Sequence, residues 1–325
     1  MKELLKLEKP QSVQDAAKAQ KGMHIALEML VFVAVFLVAT IAESIVMVPG
    51  LLVMMFTNSD YLNAIMTGDV TAAMEAGMAL SSSDLSTVLM LFATVAMTGI
   101  VLLFCKLLQK RRMNTLGFRK KSLVKEYVCG LAVGFVLFSA AVGICVFTGS
   151  LKFEGLSSTF TLGMFLLFTL GYMLQGMAEE VLCRGYLLVS IGRRYSMLVA
   201  IWVNAVFFAM LHLLNDGISV LAFINLVLFG VFASVYYIKR DNIWGVGAVH
   251  SIWNLVQGNF YGIRVSGIQT SCSVFSSEMV EGKEFINGGA FGLEGGIAVT
   301  IVLLVGTVIL LGMKSKKTVQ VQSEM

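Results

Sequence analysis

The sequence predicts an all-α polytopic membrane protein of about eight transmembrane helices, with both termini on the cytoplasmic side. Three observations carry that expectation. Hydrophobic residues make up 57% of the 325-residue chain and charged ones 14%, against about 25% charged in a typical soluble domain. Runs of about 20 apolar residues, the length that a bilayer core of about 30 Å demands, recur along the chain. Lysine and arginine collect in alternate connections between those runs, as cytoplasmic loops require.

Residues 1–22 carry Lys2, Lys6, Lys9, Lys18 and Lys21, with Leu4, Leu5 and Leu7 at helical spacing. This reads as an amphipathic cytoplasmic segment at the membrane surface rather than a cleavable leader. The first span, about 24–56, is over-long, holds Glu28 and Glu43, and meets Pro49, which predicts a tilt or a break near its far end. Both glutamates read as polar groups that hydrogen-bond to neighbouring helices. Residues 57–84 contain Asp60, Asp69, Glu75 and Asp84 but no lysine or arginine, and so read as an outer loop.

The second span, about 85–108, leads into the densest basic stretch, which includes Lys110, Arg111, Arg112, Arg119, Lys120, Lys121 and Lys125. This loop is expected in the cytoplasm. A third span, about 127–147, reaches a short outer loop around Lys152 and Glu154, and a fourth runs from about 160 past Glu180 to a cytoplasmic return marked by Arg193 and Arg194. The fifth (about 196–213), the sixth (about 218–238, ending at Lys239 and Arg240) and the seventh (about 243–260) follow closely. An outer loop over 261–288 and an eighth span, about 289–313, complete a single membrane domain over 23–313, and 314–325 form a basic cytoplasmic tail with Lys314, Lys316 and Lys317. No internal repeat is evident.

Composition also narrows the function. A net charge of +4, with its basic residues beside apolar runs, speaks for topology signals and against a nucleic-acid partner. Cys105, Cys129, Cys145, Cys183 and Cys272 have neither disulfide-like nor metal-like spacing and read as small hydrophobes.

Charged groups at bilayer depth cost about 2.5–3.5 kcal/mol each on insertion scales, so Glu179, Glu180 and Arg184 need partners or a task there. Three patterns stand out. In Glu179-Glu180-x-x-x-Arg184, Glu180 and Arg184 are i,i+4 neighbours that can pair, while Glu179 points about 100° away. Phe208-x-x-x-His212 and His250-x-x-x-Asn254 each place their two side chains on one helix face. Two chemistries fit. In a metal-free site, Glu179 and His212 would polarise a water while His250 and Asn254 donate hydrogen bonds to the oxyanion of a tetrahedral intermediate. In a metal site, His212, His250 and the Glu179 carboxylate would hold a divalent ion such as zinc. No HExxH pattern supports the second.

These three patterns, in this order on successive spans, resemble the CPBP (CAAX protease and bacteriocin-processing, or Abi) family of intramembrane endopeptidases, which includes the Ras-converting CAAX endopeptidase. The resemblance covers about residues 120–265, and the glycine-rich stretches 260–267 and 287–296 are similar to bacterial members. It implies Glu179 as the catalytic glutamate, His212 as its partner on the water, and His250 with Asn254 as the oxyanion-stabilising pair, with Glu180, Arg184 and Phe208 in support. The family has been described both as metalloproteases and as metal-independent glutamate proteases, so the resemblance leaves the cofactor open between none and a divalent metal. It implies a hydrophobic or membrane-tethered peptide or protein as substrate, with roles in bacterial peptide processing or bacteriocin self-immunity at the cell membrane. A non-catalytic immunity or scaffold protein that binds peptides through the same polar cavity is the alternative. A proton-relaying transporter fits less well, since inverted repeats and paired broken helices are missing.

One expectation conflicts with the others. With straight spans drawn as above, Glu179 and His250 lie towards the cytoplasmic ends of their helices, whereas His212 comes 16 residues into its own, about 24 Å along it.

Overall fold

The computed structural model describes residues 7–313, so Leu4, Leu5 and the tail from Lys314 onwards lie outside the described residues. Helix α1 (Gln11–Ala19) precedes α2 (Ile25–Thr57), whose first turn is capped by His24 accepting from the Ala26 amide. Of the tilt or break expected at Pro49, the break is absent: helix α2 runs unbroken through it, and its 33 residues extend about 50 Å. Residues 57–84 are not a loop: they form α3 (Ser59–Thr67) and α4 (Val70–Ser81). The polar residues that suggested a loop are in part their caps. Asn58 accepts from the Tyr61 amide, Gly68 closes α3 with φ +73°, and Asp69 accepts from the Ala72 amide.

Helix α5 (Asp84–Leu107) returns, and α6 (Leu123–Phe147) crosses again. The longest continuous element after α2 is composite: α7 (Leu162–Glu180) passes into a π-helical segment, Val181–Leu188, and then into α8 (Val189–Arg194). Helices α9 (Met197–Met210) and α10 (Val220–Arg240) are capped by Ser196 and Ser219, whose hydroxyls accept from the amides of Val199 and Ala222, three residues on. Helix α11 (Ile243–Leu255), capped by Asn242, continues as a π-helical turn over Val256–Phe260. A short α12 (Glu284–Asn287) precedes α13 (Ile297–Gly312), which begins eight residues later than the expected eighth span. Two 3₁₀ turns, Gly289–Phe291 and Leu293–Gly295, occupy the difference. The only pairing of named strands among the described residues joins β1 (Leu151–Leu156) to β2 (Phe275–Met279), antiparallel, and ties the α6–α7 connection to the one that follows α11.

This is an integral membrane protein of helices. Among the described residues α2, α5, α6, the α7–α8 run and α10 are long and apolar enough to cross a bilayer, and α9 and α13 are shorter apolar helices. Helix α11 packs against α6 and α7, α10 against α9 and α13, and α5 against α2 and α7. The α6–α11 contact is close because α6 presents glycine: a Cβ at Gly130 would fall 2.1 Å from the Gly245 carbonyl oxygen, and one at Gly134 would fall 2.4 Å from Ile252. Every residue of the π segment is buried, whereas Leu30, Phe56, Val136 and Val308 face outwards as lipid contacts.

The basic end of the molecule is packed rather than merely solvated. Arg111, expected as a topology charge, is buried, and its Nη2 donates to the Gly185 carbonyl at 2.8 Å and to the Thr115 carbonyl at 3.0 Å. The Ile243 amide donates to the Gly117 carbonyl, Arg119 pairs with Asp241, and Asp241 accepts from the Ser12 amide at 3.2 Å. Helix α1 lays Val13 and Ala16 against α8 and the 3₁₀ turn Met113–Leu116, so its apolar face is covered by protein. Glu28 bonds across helices as expected, to Arg193 Nη2 at 3.0 Å.

Candidate functional site

The four residues singled out for chemistry come from two helices and the turn after a third, and they line one cavity of about 240 Å³. Glu179 comes from α7, His212 from the turn after α9, and His250 and Asn254 from α11. The cavity walls include Leu91, Met97, Leu226 and Phe229, so these polar groups face one another across a largely apolar chamber.

Beneath the cavity, Glu180 and Arg184 form the i,i+4 pair expected from the sequence. Both are fully buried, with Arg184 Nη1 donating to Glu180 Oε1 at 2.7 Å. The guanidinium carbon also sits 4.7 Å above the Phe208 ring, and that ring packs against both His212 and His250, with centroids 4.8 and 5.9 Å away. Phe208 thus separates the two imidazoles while touching each.

Hydrogen-bond partners fix how each imidazole faces the cavity. His212 Nδ1 lies 2.9 Å from the Phe208 carbonyl, which can only accept, so Nδ1 carries the hydrogen. In the neutral ring Nε2 then keeps its lone pair, which suits it to take a hydrogen bond from water. His250 Nδ1 lies 2.9 Å from Glu180 Oε1, which also accepts from Arg184, so this Nδ1 again is the donor. Its Nε2 faces Glu179 Oε2 at 3.8 Å, beyond a direct hydrogen bond.

Gln175 is the site residue that the sequence patterns missed. Its Nε2 donates to Glu179 Oε1, and its Oε1 accepts from Asn254 Nδ2 at 3.0 Å, so one amide fixes both the carboxylate and the carboxamide. The signal was present as Gln175-x-x-x-Glu179, the same i,i+4 spacing as the other motifs, but an uncharged glutamine carries no insertion cost that calls for a partner.

The depth conflict was a boundary error. The helical run that begins with α7 continues through the π segment and α8 to Arg194, which puts Glu179 15 residues before that end, or about 22 Å. His212 lies 15 residues after Met197, where α9 begins, so the two antiparallel helices carry their side chains to similar depth. The π segment is served by side chains from outside it: Asn204 donates to the Cys183 carbonyl at 2.6 Å, and Arg111 to that of Gly185.

Among the described residues no three His, Cys, Asp or Glu side chains are grouped to hold a metal ion, so His212, His250 and Glu179 do not form a ligand set. Nearby asparagines serve the scaffold. Asn225 donates to the carbonyls of Glu294 and Gly296, Asn215 to that of Ser266, and Asn259 to that of Cys272. Together they hold the connection between α11 and α13 over the cavity, where Glu294 accepts from Trp253 Nε1 and from the amide and hydroxyl of Ser266.

Glu43 departs from its expected role. It lines the same cavity, and its buried Oε1 has no hydrogen-bond partner, so this oxygen does not bond across helices among the described residues.

The partly buried Glu179 carboxylate, two oriented imidazoles and a carboxamide thus face one chamber inside a helical membrane protein. Residues 161–256 match the family model described as "Rce1-like: Type II CAAX prenyl endopeptidase Rce1-like", so this chain carries a domain of the CPBP, or CAAX protease, family. The match begins just before α7 and ends just after α11, and it therefore spans all four chemical residues but not Glu43. The chain matches no curated protein and no solved structure.

Proposed function

We propose that the protein is an intramembrane endopeptidase that hydrolyses a peptide bond with a water activated by Glu179, without a metal. The observation that carries this reading is the convergence of Glu179, His212, His250 and Asn254 on one cavity within a domain of a protease family. Water held between the Glu179 carboxylate and His212 Nε2 attacks the carbonyl carbon, and Glu179 takes its proton. The tetrahedral oxyanion accepts from the free N–H of Asn254 and from His250 Nε2 in the doubly protonated ring, whose Nδ1–H stays on Glu180. Glu179 then returns the proton to the departing amine nitrogen as the C–N bond breaks. Glu180, Arg184 and Phe208 orient these groups and do not themselves touch the substrate.

The chamber walls favour a hydrophobic or membrane-tethered peptide, and the apolar setting limits bulk water. The likeness of its outer glycine-rich stretches to bacterial members supports a place in a bacterial cell membrane, in peptide processing or bacteriocin self-immunity. The test is hydrolysis of apolar peptides by the purified protein in lipid nanodiscs. Glu179→Gln should lower kcat by about 10²–10⁴-fold, with the fold intact by thermal unfolding. Unchanged turnover in that variant would instead favour a peptide-binding immunity or scaffold protein.

A further inference from the structure

Three carboxylates line the cavity, and no lysine or arginine does so among the described residues. Two of the three are provided for. Glu179 accepts from Gln175 and faces His250 Nε2, while Glu294 accepts from Trp253 and from Ser266. Glu43 is different: its Oε1 is buried and no donor reaches it. A carboxylate oxygen withdrawn from water without a hydrogen bond is costly, and a cation with N–H donors removes both deficits at once. Three carboxylates against the single imidazolium assigned to His250 leave the chamber's balance negative, so its field favours cations. A multivalent metal is a poor candidate, because no metal-binding group of three donors is present among the described residues.

We infer that Glu43 is a specificity residue that receives a primary ammonium group of the substrate, from a lysine side chain or a free amino terminus, in the same cavity where the peptide bond is cut. This deepens the endopeptidase reading and rests on it for the word substrate. Helix α2 lies outside the segment that matches the protease family, so the α7–α11 part supplies the chemistry and α2 the preference. Glu43 donates nothing to the reacting atoms. It acts by holding one end of the peptide.

The experiment uses fluorescent apolar dodecapeptides and the full chain in nanodiscs. One set is amino-terminally acetylated with a single lysine moved along the sequence, a second carries norleucine at each of those positions, and a third has norleucine and a free amino terminus. Binding is read by anisotropy and cleavage by mass spectrometry. Wild-type protein should bind the best ammonium-bearing peptide about tenfold more tightly than its neutral counterpart, the gain expected of one charge-assisted hydrogen bond. The two ammonium sets tell a lysine from an amino terminus. Glu43→Gln should remove that preference and leave the affinity for the neutral peptide unchanged.

Wild-type protein that binds ammonium peptides no more tightly than neutral ones, including the case where neither binds, overturns the assignment without any variant. So does a Glu43→Gln protein that loses affinity for both sets equally. Selective binding without cleavage would sink the endopeptidase reading and leave Glu43 as a cation site, whereas cleavage without selectivity would do the reverse.

Discussion

Gln175 shows how much of this site depends on one neutral side chain. Its amide bonds the Glu179 carboxylate on its own helix and the Asn254 carboxamide on α11, so the proposed base and one proposed oxyanion donor share a single brace. Gln175→Leu keeps a similar volume and removes both bonds. Because a misplacement of about 1 Å costs about 10²-fold in rate, kcat on an apolar peptide should fall by about that factor while KM changes little. Gln175→Glu would add a second carboxylate beside Glu179 and should not rescue activity. A rate unchanged in Gln175→Leu would show that Glu179 and Asn254 hold their positions without it. Two of the residues legible in the sequence have partners one turn away, Glu180 in Arg184 and His212 in the Phe208 carbonyl, whereas His250 and Asn254 find theirs on α7. Glu43 sits on a helix remote in sequence from the site, and only tertiary packing brings it to the cavity.

At the scale of elements, the geometry of the site is set by how closely α11 approaches its neighbours. Both His250 and Asn254 ride on α11, and α6 meets that helix through Gly130 and Gly134. A side chain at Gly134 would collide with Ile252 and with the Val249 carbonyl, 2.4 and 2.5 Å from a Cβ, so Gly134→Leu must push the helices apart. Overpacking of this kind costs about 1–3 kcal/mol, and the variant should show a lower unfolding temperature together with reduced peptide hydrolysis. Gly143→Leu on the same helix is the control: nothing lies within 4 Å of a Cβ there, and stability and activity should both be kept. Element boundaries were less legible than element types. Apolar runs marked the helices, but the polar caps Asn58 and Asp69 were read as loop, and the charged pair at Glu179–Glu180 was drawn towards the cytoplasmic end of its span. In fact that pair is stabilised in mid-run by Arg184, Gln175 and His250, which the hydropathy of the segment cannot report.

For the whole molecule the distribution of charge predicts orientation. At one end Arg240 pairs with the Glu126 carboxylate, Lys239 donates to the Leu311 and Met313 carbonyls, and Lys9 donates to that of Arg193, so α1, the ends of α8 and α10, and the last turn of α13 share a basic face. Lys110, Arg112, Lys120 and Lys121, in the connection from α5 to α6, belong to that end. The segment 57–84 between α2 and α5, at the other end, has acidic residues and no basic ones. The positive-inside bias then sets the basic face in the cytoplasm and the β1–β2 pair outside. Single cysteines report this directly once the exposed Cys129 is replaced by alanine, since the other four are buried. A membrane-impermeant maleimide should label Ser158→Cys, exposed just beyond β1, in intact cells. It should reach Lys121→Cys, exposed in the basic connection, only after the cells are permeabilised. The opposite pattern would invert the protein in the membrane. It would also turn the outer segment that carries Glu294 over the cavity towards the cytoplasm, so that substrates would have to come from inside the cell.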